Sequence, residues 1–454
     1  MRIVIIGNST AAVGAVEGIR AAERSNAFDA EKQAKAGGGS SAEITIIAGE
    51  REHTYSRPLI SYLLEGKTDE ERMKYRPNDF YTINNVKTML GRTVASVDPK
   101  AKTVTLEDGS TVPYDKLLLA AGSRPFIPPI AGLGAASDGA EYHTFQSLAD
   151  AKKLEAALTE QSRVLIIGAG LIGLKCAEGI GRHLKEDALN GDSAEISLLG
   201  NKALSENRAA SITIAEFAPR VLPSILDEDS AAIVQSHLEK QGLVFHLGNA
   251  VSSVDGHSAV LADGTRVDYD ILVVASGVKP NIELLTEIGA KSGRAIITDP
   301  CGRSSLPDIF AAGDCAESLD VTDGESRVLA ILPNAYLQGR AAGKAMAGLD
   351  EPFTEAMPVN SIGFFGLHIG TAGAAKGESS VIKTESGYRR FFFAEKRLAG
   401  FIIVGDVNRA GIYTALVRSK LPIDAIDFDL VAKKPQLAAF APKERRKMLN
   451  GETV

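Results

Sequence analysis

Residues 163–173 read RVLIIGAGLIG, and this stretch decides the fold. The β-branched run RVLII is typical of a strand buried in a parallel sheet. The turn that follows places glycine at Gly168, Gly170 and Gly173, and a helix-like stretch continues over 171–184. In this context the first glycine permits a tight turn, the second lets the backbone approach a pyrophosphate, and the third lets helix and strand pack closely. The stretch therefore predicts a dinucleotide site at the amino terminus of the helix.

The same plan occurs at the amino terminus of the chain. There RIVII (2–6) leads into the turn GNSTAA (7–12) and a helix-like stretch over 10–23. This turn is poorer, because Ser9 and Ala12 stand where glycines are usual. Taken alone, it is as typical of a packing turn as of a nucleotide site. Two units of this kind predict an α/β fold with two Rossmann-like domains on parallel sheets.

An acidic residue at the end of the next strand usually binds the adenosine ribose. In the first unit ITIIAGE ends in Glu50, which is a candidate for one ribose. In the second unit two segments are candidates for the second strand. AEISLLG (194–200) does not end in an acidic residue, whereas SITIAE ends in Glu216. We favour the second segment because a helix-like stretch follows it. The Glu216 carboxylate would repel the 2′-phosphate of NADPH, so the sequence predicts that the chain prefers NADH. The nearby Arg220 is expected to moderate this preference.

The segment LPDIFAAGDCAE (306–317) predicts a further strand, which ends at Gly313 and Asp314. In an enzyme with two nucleotides, an aspartate at such a strand end binds the ribityl chain of a flavin. The alternative is that Asp314 only caps the following turn. Because two dinucleotide turns precede this segment, we favour the flavin role.

Turn-rich segments that follow predicted strands, AGSRPFIPPIAG and SGVKPN, are typical of crossings between two domains. Before the second strand of each unit the chain carries extra residues, of which the first set contains AGGGSS and indicates a flexible surface excursion. These extra residues are 26–41 and 186–210. The predicted organisation is a first nucleotide domain at 1–150 and 278–350, a second at 151–277, a β-rich domain at 351–430 and a basic tail at 431–454.

The basic tail holds six lysines and arginines against two glutamates. The favoured interpretation is the solvated end of a helix, and the alternative is a docking patch for an acidic partner.

Composition limits the function of the chain. Its 454 residues carry a net charge of −7 with a pI near 5.7, which argues against nucleic acid as a partner. No apolar run approaches the roughly 18 residues that span a bilayer, and the amino terminus enters a strand without a signal peptide. We therefore expect a cytoplasmic protein with no membrane partner. The three cysteines are too few and too scattered for a disulfide framework or a four-thiolate cluster, and no motif predicts a metal.

Together the motifs resemble the FAD-dependent pyridine nucleotide-disulfide oxidoreductase superfamily. Within it they are most similar to NADH:rubredoxin and ferredoxin reductases and to the flavin-binding half of the assimilatory nitrite reductase large subunit. The resemblance covers nearly the whole chain and rests on GNSTAA, YSRPLISY, AAGSRP, GAGLIG, EFAPRVLP, SGVKPN, FAAGDC, PNAYLQGR and VGDVNRAGI. It implies an FAD domain, an NAD(H) domain and a C-terminal α+β interface domain, and it leaves open whether the chain forms a homodimer.

The resemblance also implies site residues. Arg57 and Pro58 are implied to line the flavin, and the helix that begins at 333–335 is implied to direct its amino terminus at the pyrimidine edge of the ring. The residues implied to hold FAD are Gly7, Ser9, Ala12, Glu50, Arg57, Pro58, Gly122, Asp314, Asn334 and Ala335. Those implied to hold NADH are Gly168, Gly170, Gly173 and Glu216.

The chain departs from the family pattern at two places. Thiol-dependent relatives carry a CxxxxC pair or one cysteine near YSRPLISY, whereas residues 48–66 contain no cysteine. Disulfide, coenzyme A disulfide and cysteine-sulfenate chemistry is therefore disfavoured. The second departure is Lys175, because relatives commonly carry glutamate there, near the nicotinamide. Glu178, one turn further on, is a weak candidate to replace it.

The function implied is hydride transfer from NADH to the flavin, followed by electron transfer to an acceptor outside the chain. The first step requires no side-chain acid or base, so no catalytic residue is assigned. The favoured partner is rubredoxin, ferredoxin or an iron–sulfur partner subunit of a larger redox complex. The alternatives are an NADH oxidase that uses oxygen and a non-catalytic flavoprotein module of such a complex.

Overall fold

The computed structural model describes residues 1–32, 41–134, 140–190, 210–384 and 387–450. Over these residues the strands are β1 (Arg2–Ile6), β2 (Glu43–Ala48), β3 (Val86–Leu90), β4 (Val94–Asp98), β5 (Thr103–Leu106), β6 (Thr111–Pro113), β7 (Lys116–Leu119), β8 (Ser123–Pro125), β9 (Arg163–Ile167), β10 (Ser211–Glu216), β11 (Leu243–Leu247), β12 (Val251–Asp255), β13 (Ser258–Leu261), β14 (Arg266–Asp268), β15 (Ile271–Val274), β16 (Val278–Pro280), β17 (Ile296–Ile297), β18 (Ile309–Ala311), β19 (Ala316–Leu319), β20 (Ser326–Arg327), β21 (Val359–Phe364), β22 (Leu367–Gly373), β23 (Glu378–Thr384), β24 (Gly387–Ala394) and β25 (Arg397–Gly405).

The helices of the same residues are α1 (Thr10–Lys32), α2 (Ile60–Leu64), α3 (Phe80–Ile83), α4 (Leu148–Ala157), α5 (Leu171–Asn190), α6 (Glu228–Lys240), α7 (Glu283–Thr286), α8 (Leu332–Met346), α9 (Ala410–Ser419), α10 (Phe428–Lys433) and α11 (Pro442–Asn450). Short 3₁₀ turns occur at Arg57–Leu59, Gly313–Cys315, Ile423–Ala425 and Leu437–Ala439. No helix in this part of the chain has both the length and the apolar character that a membrane crossing requires.

The chain forms two compact units. The first unit comprises Met1–Ser56, Lys74–Arg124 and Pro280–Pro358, and the second comprises Arg57–Met73, Pro125–Lys279 and Val359–Val454. The second unit therefore takes in residues that were expected in the first nucleotide domain, as well as the β-rich region expected to be a separate domain. The functional domain boundaries proposed from the sequence stay a prediction.

A five-stranded sheet of order β18-β7-β1-β2-β3 forms the core of the first unit, and all its neighbouring strands are parallel. Side chains of β1 alternate between the two faces, so that both faces are buried. Ile3 and Ile5 pack with α1 and α8, whereas Val4 and Ile6 pack with the three-stranded sheet of β4, β5 and β6. This double burial explains why residues 3–6 of the strand are all apolar.

Helices α1 and α8 of the first unit lie side by side and parallel. A Cβ added at Gly339 would lie 2.0 Å from the carbonyl oxygen of Ala11, and one added at Gly343 would lie 2.1 Å from that of Ala15. Only glycine therefore lets the two backbones approach this closely. As a result the amino termini of both helices meet at the same end of the sheet.

The second unit repeats the plan with a parallel sheet of order β11-β10-β9-β15. It also contains the antiparallel sheet β12-β13-β14 and a five-stranded antiparallel sheet of order β21-β22-β25-β24-β23. The predicted α/β class with two Rossmann-like sheets and a C-terminal α+β region is confirmed.

Several predicted bounds are wrong by a few residues. Helix α1 continues to Lys32, so the first part of the predicted surface excursion is helical, because residues 26–32 (NAFDAEK) contain neither glycine nor proline. Strand β18 ends at Ala311, since Gly313 takes a φ of +82° and starts a 3₁₀ turn. Residues 194–200, the competing second strand, lie outside the described residues.

Candidate functional site

Four predicted residues of the first unit lie just beyond the carboxyl ends of neighbouring strands. Gly7 follows β1, Glu50 follows β2, Gly122 follows β7, and Asp314 follows β18. Because these strands are parallel and adjacent, their carboxyl ends meet at one edge of the sheet. The structure therefore brings the four residues to one edge, which is where open α/β sheets bind their ligands.

The first glycine turn fits closely between its neighbours. Gly7 has a φ of +115°, and a Cβ added there would lie 2.1 Å from the carbonyl oxygen of Ala120. The carbonyl of Ser9 accepts the first bond of α1, from the N–H of Val13 at 3.1 Å, and Ala12 is fully buried. The first N–H groups of α1 have no partner within the helix, and such groups bind anions. The poorer turn is thus shaped like a phosphate site.

A hydrogen-bond network that sequence reasoning missed fixes this turn. The Asn8 amide donates to the carbonyl of Glu52 at 3.2 Å and accepts from the Tyr81 hydroxyl at 2.8 Å. The Tyr81 hydroxyl in turn accepts from the N–H of Thr54 at 3.1 Å. Two side-chain atoms beside this network, His53 Nε2 and Thr54 Oγ1, belong to the buried polar atoms of the described residues that have no hydrogen-bond partner. Buried polar atoms of this kind are costly unless a ligand or water pairs with them.

Glu50 lies at the same edge, half-buried. The Tyr55 hydroxyl donates to Glu50 Oε2 at 2.6 Å, which holds the carboxylate in place. A carboxylate fixed beside a glycine turn is suited to accept hydrogen bonds from ribose hydroxyls.

Asp314 is held by the segment that follows β7. The Ser123 hydroxyl donates to Asp314 Oδ2 at 2.7 Å, and the carbonyl of Gly122 accepts from the N–H of Asn281 at 3.0 Å. Neither Ser123 nor Asn281 was a candidate in the sequence, because each acts through a partner more than 150 positions away.

The amino terminus of α8 reaches the same place. A Cβ added at Gly313 would lie 3.2 Å from that of Ala11 in α1 and 3.6 Å from that of Ala335 in α8. The Asn334 side chain is buried and donates to the carbonyl of Met357 at 3.1 Å. Two helix amino termini and two carboxylates thus surround one strand edge, and these residues fit the diphosphate and hydroxyl groups of FAD.

The second unit holds the better glycine turn. A Cβ added at Gly168 would lie 2.4 Å from the carbonyl oxygen of Ala275, and one at Gly173 would lie 2.0 Å from that of Gly168. A Cβ at Gly170, by contrast, would meet no described atom within 4 Å. The protein itself therefore requires glycine at the first and third positions, whereas Gly170 faces space that a ligand can occupy.

Glu216 ends β10, the strand beside β9, so the choice of SITIAE as the second strand is confirmed. Its carboxylate accepts from the backbone N–H of Ala169 at 2.7 Å and from that of Ala218 at 2.8 Å. The negative charge is therefore fixed against the turn GAGLIG. These residues fit the adenosine half of a nicotinamide dinucleotide.

Arg220 was expected to moderate the preference for NADH. Its guanidinium instead donates to the backbone carbonyls of Leu226 at 3.1 Å and Pro223 at 3.3 Å. These bonds hold the guanidinium against the chain, which leaves Glu216 as the charge beside the turn.

Arg57 and Pro58 lie in the second unit. Arg57 donates to the carbonyl of Gln146 at 3.0 Å, and exposed Pro58 accepts from the Ser61 hydroxyl at 3.2 Å through its carbonyl. Their role beside a flavin stays a prediction.

Lys175, which is half-buried, and Glu178, which is buried, form an ion pair. The Lys175 ammonium donates to Glu178 Oε2 at 2.6 Å and to the carbonyl of Gly363 at 3.0 Å, and the N–H of Phe365 donates to Glu178 Oε1 at 2.6 Å. Burial opposes ionisation of Glu178, but Lys175, Phe365 and Arg182 outweigh it and hold the pKa below its usual value. The pair anchors α5 to the turn between β21 and β22, which makes Glu178 a structural residue here.

All three cysteines are buried and free. Burial raises the pKa of the Cys176 thiol, and it raises the pKa of Cys315 to about 11. Burial is also the main cause that raises the pKa of Cys301. Reactive cysteines are exposed thiolates, so these three are packing residues.

Comparison with known proteins adds to this geometry. The pyridine nucleotide-disulphide oxidoreductase family matches residues 1–339. The epsilon subunit of NADH-dependent phenylglyoxylate dehydrogenase from Aromatoleum evansii is 28% identical over 444 residues, which are 95% of this chain and 94% of that protein. An NADH oxidase from Methanocaldococcus jannaschii is 33% identical over 68% of this chain and 66% of its own length. A rubredoxin-NAD(+) reductase from Pseudomonas putida is 29% identical over 78% of this chain and 81% of its own length.

Proposed function

This chain belongs to the pyridine nucleotide-disulphide oxidoreductase family, and from that premise we propose that it passes electrons from NADH to a protein electron carrier or an iron–sulfur partner subunit. The predicted superfamily, the enzyme class and the cofactors FAD and NAD(H) are confirmed by this membership and by the relatives. The chain is an NAD(P)H-dependent flavin oxidoreductase. The acceptor and the preference for NADH are the proposal.

FAD, when bound, accepts two electrons as a hydride and releases them to an acceptor. The residues of this chain bind and orient the two cofactors. In the first unit, α1 and α8 direct their amino termini at one edge of the sheet, where partial positive charge stabilises anionic groups. In the second unit, Glu216 selects against a 2′-phosphate. No acid or base is assigned, because Lys175 and Glu178 are engaged with each other and with the backbone.

The observation that carries the proposed acceptor is the charge of the carboxy-terminal region. Residues 387–450 hold 13 lysines and arginines against six aspartates and glutamates, a net charge of +7 in a chain whose net charge is −7. A region of this sign attracts acidic proteins and speeds their association. We therefore favour docking of an acidic carrier on residues 387–450, and for the basic tail at 431–454 we favour the docking patch over the solvated helix end.

Three exposed cations of this region stand together. Arg409, at the start of α9, donates to the carbonyl of Pro435 at 3.4 Å, which places it beside Lys433 and Lys434 at the end of α10. The carbonyl of Lys433 accepts from Arg389 at 2.8 Å, which fixes this part of the backbone. We call Arg409, Lys433 and Lys434 the basic surface.

The names of the relatives support both forms of the proposal. The relative from Pseudomonas putida is named a rubredoxin-NAD(+) reductase. The relative from Aromatoleum evansii, which is similar over almost the full length of both chains, is named as one subunit of a dehydrogenase. A second candidate function, NADH oxidation by oxygen, is favoured by the relative named NADH oxidase. The buried cysteines oppose a thiol-dependent form of that reaction.

The experiment reduces the holoenzyme with NADH under anaerobic conditions and then mixes it with rubredoxin, a ferredoxin or air-saturated buffer. We expect flavin bleaching by NADH and fast reoxidation by one of the carriers. Reoxidation by air as fast as by either carrier contradicts the proposal and favours the oxidase. If neither NADH nor NADPH bleaches the flavin, the result contradicts the proposal and supports the alternative of a non-catalytic flavoprotein module.

The basic surface is tested in the same assay with Lys433→Glu/Lys434→Glu. We expect carrier reduction to slow about tenfold at low salt, with a smaller difference at high salt, because exposed charges are screened. The matched control is Lys87→Glu/Lys100→Glu, two exposed lysines of the first unit. Equal slowing by both variants, or a change in flavin reduction by NADH, contradicts a docking role.

A further inference from the structure

Glu65 is a buried glutamate whose carboxylate lacks hydrogen bonds. It caps the carboxyl end of α2, and only 1% of its surface is exposed. A carboxylate at this end of a helix is not stabilised by the helix dipole. Neither of its two oxygens has a hydrogen-bond partner among the described residues. An ionised group buried in this way is costly unless other groups pair with it.

Two cations lie near Oε2 of Glu65. The Lys67 ammonium is 2.7 Å from this atom, at angles that do not form a hydrogen bond, and Arg182 Nε is 3.7 Å from it. Buried Glu178, by contrast, accepts from the Arg182 guanidinium at 3.2 Å and from the N–H of Phe365 at 2.6 Å. The fold therefore satisfies one buried glutamate with hydrogen bonds, whereas Oε1 of Glu65 needs a donor from elsewhere.

Glu65 lines an open cavity of about 340 Å³. The cavity lies within the second unit, since each of its lining residues belongs to that unit. Other polar side chains of its wall are Lys67, Arg182, Ser361 of β21 and His368 of β22. The volume is in the range of small-molecule sites and exceeds the space that one buried water needs. The cavity therefore has room for a ligand beside Oε1.

The cavity is separate from the second glycine turn. Arg182 lies nine positions after Gly173 on α5, and at 1.5 Å per residue this is about 14 Å along the helix axis. The residues that carry the cavity are therefore not the residues assigned to NADH. A ligand bound here is additional to the two dinucleotides.

The charges in the wall oppose a simple ion. A metal cation is repelled by Lys67 and Arg182, and the described residues contain no group of three or more His, Cys, Asp or Glu side chains that could hold one. An anion alone is repelled by Glu65 and leaves its Oε1 without a donor. A ligand that carries both an N–H donor and an anionic group satisfies all three side chains, since ammonium groups donate and carboxylates accept.

We propose that this cavity binds a small α-amino acid as a zwitterion. Its ammonium donates to Glu65 Oε1, and its carboxylate accepts from Lys67 and Arg182. The two charged groups of an α-amino acid are attached to one carbon. They therefore match a wall in which the cations lie only 2.7 and 3.7 Å from the carboxylate. The inference goes beyond the proposed function, because it requires no electron transfer.

The test measures the Tm of the flavin-loaded protein with each of the natural amino acids in turn. At about ten times its Kd, an amino acid that binds is expected to raise the Tm by about 2 °C. Calorimetric titration with the most effective amino acid then gives its Kd. Acetate and methylammonium each carry one of the two charges, and trimethylglycine has no N–H on its ammonium. All three are expected to leave the Tm unchanged.

Variants of the wall test the assigned contacts. Lys67→Gln is expected to weaken binding of the amino acid about tenfold, because it removes a charged hydrogen bond. Glu65→Gln removes the buried charge at nearly constant shape and is expected to weaken it at least as much. The matched control is Lys152→Gln, because Lys152 is 47% exposed and 2.6 Å from Glu70, whereas Lys67 is 44% exposed. Lys152→Gln is expected to bind as the wild type does.

Three results overturn the proposal. If no amino acid raises the Tm, water occupies the cavity. If acetate or methylammonium stabilises the protein as much as an amino acid does, one charge suffices and the ligand is not a zwitterion. If Lys67→Gln, whose side chain is exposed and not required for folding, binds with unchanged affinity, the amino acid binds elsewhere. Since none of these measurements involves NADH, failure of the proposed function leaves them interpretable.

Discussion

The carboxylate of Glu216 accepts a hydrogen bond from the backbone N–H of Ala169 at 2.7 Å, across 47 positions of sequence. The two residues meet because β9 and β10 are adjacent and parallel, with Ile167 opposite Ala215 in the register. Glu216, which ends β10, is thus hydrogen-bonded to the glycine turn that follows β9. This single contact places a negative charge where the ribose of a dinucleotide lies in such folds.

Glu216→Ala is expected to lower the selectivity for NADH over NADPH at least about tenfold, because removing one charge near a 2′-phosphate is worth about 1.4 kcal/mol or more near a protein surface. The measurement is kcat/KM for both nucleotides with a fixed acceptor. Glu216→Gln is the control for shape and is expected to act in the same direction. An unchanged ratio in both variants shows that the 2′ position lies elsewhere.

Gly170→Ala is expected to raise the KM for NADH about tenfold with little change in Tm, because the added methyl meets no described atom of the protein and intrudes only on a ligand. Gly173→Ala is the contrasting variant. Its methyl would lie 2.0 Å from the carbonyl oxygen of Gly168, so we expect a lower Tm or poor folding. Should Gly170→Ala bind NADH as the wild type does, the nucleotide does not approach this turn.

Asp314→Ala is expected to yield a colourless preparation, because the carboxylate stands at the strand edge where two helix amino termini meet. Ser123→Ala removes one hydrogen bond to that carboxylate and is expected to weaken FAD binding by roughly fivefold, in line with about 1 kcal/mol per bond. Flavin content after purification and titration of the apoprotein with FAD measure both effects. If the Asp314→Ala protein retains a full complement of FAD, Asp314 does not bind the flavin and only caps the turn that follows β18.

Glu178→Gln is expected to destabilise the protein at pH 7 by about 3 kcal/mol, the scale of a broken buried ion pair. The folded-state pKa of Glu178 lies below its usual value, so the stabilisation is present above the unfolded pKa, near about 4.3, and is lost as the pH falls through the folded pKa. The difference between variant and wild type in urea midpoint should therefore shrink below about pH 4. Exposed Glu155→Gln is the control. A difference that stays constant with pH indicates lost packing and not lost charge.

The amino-acid sequence by itself determined the two parallel sheets, the glycine turns and the acids at the strand ends. These features are encoded locally, because a β-branched run, a turn and a helix occupy consecutive residues and the carboxyl ends of parallel strands always share an edge. Gly7, Gly168, Glu216 and Asp314 could be named for this reason.

Only the tertiary structure decided which side chains support that edge. Tyr81 reaches Asn8, Ser123 reaches Asp314, and Lys175 reaches Gly363 across separations of 73, 191 and 188 positions. Such pairs depend on strand register and helix packing, and no local sequence pattern predicts them. The same holds for Phe217, which the described residues leave largely exposed. The sequence shows only a phenylalanine after an acid, and the exposure of the ring is decided by the packing of the described residues.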